Sequence, residues 1–243
     1  MKYVLRFVFA SLFVFSLQAQ ADIREVFVCN YKEGKGMQDV MDARDFYVEQ
    51  AKKAKMDTPP AFVWTPWKAF TGIDLLWFNV HEDFAAFAAN ADAGAGSEEM
   101  AAVGARFESV ATCQSGLLSR EVVFDGGEFE IENPPAVISS NACMMRDGVD
   151  RSDVDDLFGH ARSVLGSIDD FKNHIVFAST PITPSADTPD LFIYAVHESA
   201  TAMANKQAAF MASDSGPLLA KHFNATLDCG SSFWIGQPVI TND

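Results

Sequence analysis

A stretch reading VHE begins at Val80 and again at Val196, 116 positions later, and it belongs to an ordered series of such echoes. Cys29 answers Cys143 and DVMD from Asp39 answers DVDD from Asp153, both at an offset of 114. FVWTP from Phe62 answers FASTP from Phe177 at 115, and Phe107 answers Phe223, as Cys113 answers Cys229, at 116. Two single-residue insertions account for the whole drift. One match means little, but a colinear set at a nearly constant offset marks an internal duplication, and such a chain folds as two copies of one unit. The copies span 22–124 and 136–243. Between them 125–135 reads DGGEFEIENPP, whose glycines, acids and double proline break helical and strand periodicity alike and mark a linker.

Each copy carries the order strand, helix, strand, strand, helix, strand. In the first, REVFVCNY from Arg24 is rich in β-branched and aromatic residues. From Met37 to Lys55 the apolar positions Val40, Met41, Ala43, Phe46, Tyr47 and Ala51 share a helical face, and lysines follow where the helix dipole favours them. AFVWTPWKAF from Ala61 and DLLWFNV from Asp74 read as strands around a turn at Thr71 and Gly72. A helical pair at 82–90 and 98–110, broken by AGAGS, comes next, and CQSGLLSREVVF from Cys113 closes the unit. In the second copy Ser152 is the expected N-cap of the first helix, and Ser215-Gly216-Pro217 the restart of the broken second one. A βαββαβ order is the ferredoxin-like unit.

Side chains alternate along a strand, so Leu76, Phe78 and Val80 share one face and Leu75, Trp77, Asn79 and His81 the other. The second copy sets Phe192, Tyr194 and Val196 against Leu191, Ile193, Ala195 and His197. Both faces are mostly apolar. One meets the copy's own helices, and the other needs a second cover, because a solvated face would read polar. The sister copy is the nearest cover. The expected fold class is therefore α+β: two ferredoxin-like βαββαβ repeats packed face to face as an intrachain pseudo-twofold α/β barrel with helices outside.

Four cysteines, one pair per copy, allow three pairings. In a ferredoxin-like sheet the first and last strands are antiparallel neighbours, so the end of one faces the beginning of the other. That pairs Cys29 with Cys113 and Cys143 with Cys229. A metal or redox role lacks support, since there is no Cys-x-x-Cys and only His222 lies close to a cysteine; the expected metal content is none.

Disulfides suit the way the chain begins. MKYVLRFVFASLFVFSLQAQAD joins Lys2 and Arg6, an apolar core from Phe7 to Leu17 and a small-residue Ala19-Gln20-Ala21 step, which reads as a secretory signal peptide over 1–21. The apolar core is short of the roughly 20 residues of a membrane span, and Cys29 lies too far downstream for a lipid anchor. The mature chain is expected from Asp22, periplasmic or secreted, with no membrane span. The formal net charge of −15 becomes −17 without Lys2 and Arg6, a surface that repels phosphate and excludes nucleic-acid partners.

LLWFNVHEDFAAFAAN and LFIYAVHESATAMANK are each a strand, a polar step and an amphipathic helix, followed by helical stretches ending in ARFESV and KHFNAT. This pattern resembles the dimeric α/β-barrel superfamily, whose best known branch is the antibiotic-biosynthesis-monooxygenase-like domains. The resemblance covers nearly all of both copies and rests on pattern, without a diagnostic motif. It implies that the family's usual dimer is fused into one chain, so a monomer is expected. Cofactor-free oxygenases, haem-degrading enzymes, chlorite dismutase relatives and proteins of no assigned activity share the superfamily, and fold alone does not choose among them. Such domains often carry Trp where this chain has His81 and His197. In the haem-degrading relatives the His belongs to the second helix, whereas His81 ends a strand, and the expected cofactor is none.

His81 and His197 are the candidate catalytic residues, as general bases. With Glu82 and Glu198 they would make a mixed metal set, but neighbours on a strand point to opposite faces. The plainer reading ends each strand at the His and puts the Glu in the first turn of the next helix, where a negative charge is favoured. Trp64, Trp67, Trp77, Asn79 and His81 are the expected ligand-binding residues, all in the first copy, so a pocket should be asymmetric. The chain shows no phosphate-binding loop, no Gly-x-Ser-x-Gly and no dinucleotide fingerprint. The function expected is an exported, non-catalytic binding module holding a small apolar molecule or a partner protein. The alternative is a cofactor-independent monooxygenase-like enzyme with a His base.

Overall fold

The computed structural model describes residues 22–69, 72–127, 135–185 and 187–241. The expected leader, Thr71 of the expected turn and most of the expected linker lie outside the described residues. The elements run β1 (Asp22–Tyr31), α1 (Met37–Ala54), β2 (Ala61–Lys68), β3 (Leu75–His81), α2 (Phe84–Gly94), α3 (Glu98–Glu108) and β4 (Ala111–Asp125). The order then repeats as β5 (Ala136–Met145), α4 (Arg151–Gly166), a short 3-10 turn (Asp169–Phe171), β6 (Ile175–Pro181), β7 (Leu191–His197), α5 (Ala200–Ala212), α6 (Gly216–Thr226) and β8 (Leu227–Ile240).

The strands close into one antiparallel barrel in the order β1-β3-β2-β8-β5-β7-β6-β4. The expected barrel is thus a continuous hydrogen-bonded ring, joined at its edges as well as face to face. The reason is the length of β4 and β8, 15 and 14 residues. Each outruns the strand it first pairs with: β4 pairs with β1 through Arg120, and its far end pairs with β6 from Leu118 to Asp125. β8 does the same, pairing first with β5 and then with β2. Bulges at Val122/Phe124 and Pro66/Lys68 bend the seams, and closure leaves no free edge to aggregate.

Local chemistry sets the helix ends. At α4 the carboxylate of Asp150 accepts from the Ser152 and Asp153 backbone N–H groups while Asp153 reaches back to the Asp150 N–H, so Asp150, not Ser152, is the N-cap. Ser152 is already helical, since a carboxylate two residues earlier satisfies the free donors. The restart at Ser215-Gly216-Pro217 falls where expected, with α6 beginning at Gly216. A Cβ there would come 2.0 Å from the Phe210 carbonyl oxygen, so only glycine fits. Glu82 and Glu198 lie before the N-caps Asp83 and Ser199, outside the first helical turns the sequence reading gave them. The capping oxygens of Asp83 and Ser199 take that place, accepting from the Ala86 and Ala202 N–H groups.

Three apolar layers result. Val40, Ala43, Val63, Leu75, Trp77 and Val110 fill the space between the first half of the ring and its helices, and Val154, Leu157, Phe158, Leu191, Ile193 and Leu219 the equivalent space in the second. Ile138, Tyr194, Val196 and Trp234 lie inside the barrel with Trp64 and Phe177 packed on them. The faces of β3 and β7 are thus divided as the alternation predicts. Both disulfides, Cys29–Cys113 and Cys143–Cys229, join residues directly opposite each other on paired strands. Among the described residues no helix is long and apolar enough to cross a membrane.

Candidate functional site

The strand faces offer polar groups in three places. Inside the barrel a cavity of about 410 Å³ is lined by Phe62, Trp64, Phe78, Phe177 and Tyr194 among others, with Arg24 and Arg120 as its charged members. Asp22, Arg24 and Arg120 share the inner face because β1 and β4 pair Asp22 with Arg120, and Arg24 stands two residues along. Asp22 Oδ1 accepts from Arg120 Nε at 2.8 Å and from Arg24 Nε at 3.4 Å. The Arg120 guanidinium lies 4.3 Å from the centre of the Phe177 ring, a cation–π contact. Burial pushes the Tyr194 hydroxyl up to about 12, with Arg24 and Arg120 pulling the other way. Burial also lowers the Arg24 guanidinium, and Arg120 adds to that effect by repulsion.

The outer face of the first half carries a hydrogen-bonded row. Trp77 Nε1 donates to Asn79 Oδ1 at 2.8 Å, and Asn79 Nδ2 donates to Glu25 Oε2 at 2.8 Å, because Glu25 is the register partner of Asn79 on β1. His81 ends the row, 6% exposed, its ring edge-on to Phe87 of α2 at 5.4 Å. Its Nε2 is buried without a hydrogen-bond partner. Burial lowers the His81 imidazole below its ordinary range and the negative Glu25 draws it part of the way back. Tyr47 of α1 is pushed up to about 12 by burial and by Glu25. α2, which covers this corner, buries none of its own residues.

The outer face of the second half is different. His197 stacks on His174 with ring centres 5.0 Å apart, and its Nε2 lies 3.2 Å from Ser139 Oγ. Lys206 Nζ, on α5, donates to the Asn173 carbonyl at 3.1 Å and lies 3.5 Å from His174 Nδ1. Burial lowers His174 to about 3, helped by His197 and Lys206, and lowers His197 to about 4, helped by Lys206. Both are neutral at pH 7.

The residues singled out in the sequence therefore divide. Trp77, Asn79 and His81 come together on the outer face, Trp64 faces the barrel cavity, and Trp67 lies 40% exposed at the end of β2 with its ring near Phe233. His81 and His197 occupy equivalent corners of the two halves. Arg24, Arg120, Asp22, Glu25, His174 and Lys206 were not singled out. For Glu25 and Arg24 a signal existed, since DIREVFVCNY is polar at its start on both faces and apolar further on.

Among the described residues no three or more His, Cys, Asp or Glu side chains converge to hold a metal ion. His81, His174 and His197 are buried against aromatic rings, His160 and His222 contact each other at 3.1 Å, and none of them lines the cavity. A haem held by a histidine inside the barrel cavity does not fit these residues.

No family model and no curated protein matches the sequence. Solved structures do match the fold. A protein of Fusobacterium nucleatum subsp. nucleatum, provisionally named a monooxygenase, superposes with a TM-score of 0.59 at 11% identity over 91% of this chain and 94% of its own. An anthrone oxidase-like protein gives 0.53 at 11% over 92% and 95%. A variant of chlorite dismutase from Candidatus Nitrospira defluvii gives 0.52 at 11% over 92% and 94%. At such identities the likeness is one of architecture alone.

Proposed function

We propose that the protein is a cofactor-independent, monooxygenase-like enzyme acting on a small apolar substrate, with His81 as its general base. The observation that carries this reading is the buried His81 Nε2 without a partner, on the same strand face as Asn79 and Trp77. Leaving a buried polar atom unpaired costs about 1–3 kcal/mol. His197 Nδ1 is unpaired as well, but there Lys206 opposes the imidazolium, whereas at His81 the negative Glu25 favours it, and a base needs both a free nitrogen and a protonated form it can reach. The fold likeness to proteins named as a monooxygenase and as anthrone oxidase-like supports an enzyme over the non-catalytic module.

The chemistry follows from the row of side chains. At neutral pH His81 is unprotonated, so Nε2 takes a proton from an acidic C–H or O–H of the substrate. Glu25 favours the imidazolium that forms and fixes the Asn79 amide through its hydrogen bond. The substrate anion is electron-rich and is oxidised by dioxygen, the co-substrate. A methylene becomes a carbonyl with one oxygen atom, and the other leaves as water. His197 is the weaker base, because its ring is lowered to about 4 and Lys206 opposes its protonation. α2, with no residue of its own buried, is the element that lifts to admit substrate.

The same reading takes the chain as exported after loss of a leader over 1–21, with two ferredoxin-like copies at 22–124 and 136–243 joined by 125–135, and as a monomer because the barrel is complete within one chain. The two disulfides and the closed ring support it. A dioxygen electrode with anthrone as substrate tests the enzyme. Uptake of one dioxygen per anthrone without added cofactor is expected, lowered about 100-fold or more in His81→Gln and little changed in His197→Gln. A folded His81→Gln variant as active as the wild type would remove the proposal.

A further inference from the structure

We infer that the barrel interior is a second site, separate from the His81 corner, which binds a flat apolar molecule bearing one anionic group: an aromatic carboxylate. This rests on the cavity alone and not on the oxygenase reading.

The walls select the body. Phe62, Trp64, Phe78 and Phe177 offer ring faces, with Ile138 and Ile175 between them, around a volume of about 410 Å³. That size suits a two-ring compound. Gly236 keeps the space open, because a Cβ there would come within 3.0 Å of both Trp64 and Ile138.

The charges select the head. Two guanidiniums stand at one end against the single carboxylate of Asp22, and the side chains are 18%, 22% and 17% exposed for Arg24, Arg120 and Asp22. A partly buried cation without its own counter-ion is costly. Arg120 holds Asp22 with two of its nitrogens, whereas Arg24 reaches it through Nε alone, at 3.4 Å. The two terminal nitrogens of Arg24 donate to no described residue. A planar fork of free N–H donors beside an apolar slot is the arrangement that takes a carboxylate. Gln237, also on the wall, adds a neutral polar group at no charge cost.

Binding of 2-naphthoate and of its neutral counterpart 2-naphthamide, followed by tryptophan fluorescence and calorimetry on the purified protein, tests the inference. Naphthoate should bind about tenfold or more tightly than the amide. Asp22→Asn, which removes the competing carboxylate, should tighten naphthoate binding further, an effect that a merely structural ion pair would not produce. Arg24→Gln, with folding checked by circular dichroism, should reduce naphthoate to the affinity of the amide, and Arg24→Lys should restore part of the difference. His81→Gln should bind naphthoate as the wild type does, which separates this site from the reaction corner. Equal affinity for the two probes, no binding of either to folded protein, or unchanged naphthoate binding in Arg24→Gln would overturn the inference. Loss of naphthoate binding in His81→Gln would overturn the separation of the sites.

Discussion

Stability should fall steeply with mild acid, and the cause should be two histidines. His174 and His197 are 2% and 5% exposed, with folded values of about 3 and about 4. In the unfolded chain each titrates near 6.5. The folded state therefore binds fewer protons below that value, so the stability these groups contribute is complete above pH 6.5 and is lost as the pH falls toward their folded values. The geometry explains why the native state refuses the proton. His174 donates to the Val196 carbonyl from one nitrogen and faces Lys206 Nζ at 3.5 Å with the other, so an added proton would meet an ammonium group. Between pH 7.5 and 5.0 each histidine should remove about 2 kcal/mol, about 4 kcal/mol together. The window is chosen to avoid carboxylates: Asp39, Glu99 and Asp150 are all held below their ordinary values and titrate under it. Urea unfolding at fixed ionic strength measures the difference. A His174→Gln, His197→Gln double variant should lose most of the pH dependence, keeping a smaller fall from His81, whose shift has the same sign. A wild type that loses under 1 kcal/mol across the window, or a double variant as acid-labile as the wild type, would refute the argument.

The disulfides close loops of 84 and 86 residues, for which chain entropy gives about 4.6 kcal/mol each, so Cys29→Ala with Cys113→Ala should lower unfolding free energy by several kcal/mol in denaturant titrations. Leu157, 1% exposed between α4 and the ring, should cost about 2–5 kcal/mol as Leu157→Ala, whereas Leu218→Ala, at a site 61% exposed, should stay within about 0.5 kcal/mol of the wild type by thermal unfolding.

Much of the architecture was legible because it is governed by short periods. Strand alternation divided Leu76, Phe78 and Val80 from Leu75, Trp77, Asn79 and His81, and the duplicated spacing of the cysteines matched the register of the strands that carry them. Which strands seam the barrel shut was not legible, although the barrel itself was expected. That depends on how far β4 and β8 run past their first partners, and extra length in a strand has no periodic signature of its own. That is also why the cavity's charged end escaped notice. Arg24 and Arg120 lie 96 positions apart in sequence, and they meet only through the pairing of β1 with β4. His174 carried no motif either; it is brought to His197 by the register of β6 on β7.

The two halves also differ in ways that bear on the proposal of chemistry in one of them. Where the first has Glu25, Trp77 and Asn79, the second has Ser139, Ile193 and Ala195 at the matching offsets. The second then fills its corner with His174 and Lys206, whose counterparts in the first are Pro59 and Asn90. Asn90 turns away to donate to the Asp57 carbonyl at 3.0 Å, and the charge that acts on His81 is the negative Glu25. Burial, helped by Lys206, holds the second histidine neutral. The first has the negative Glu25 close by, which favours its imidazolium. Under the proposed function, the differences around the two histidines make one corner a core and leave the other able to take a proton.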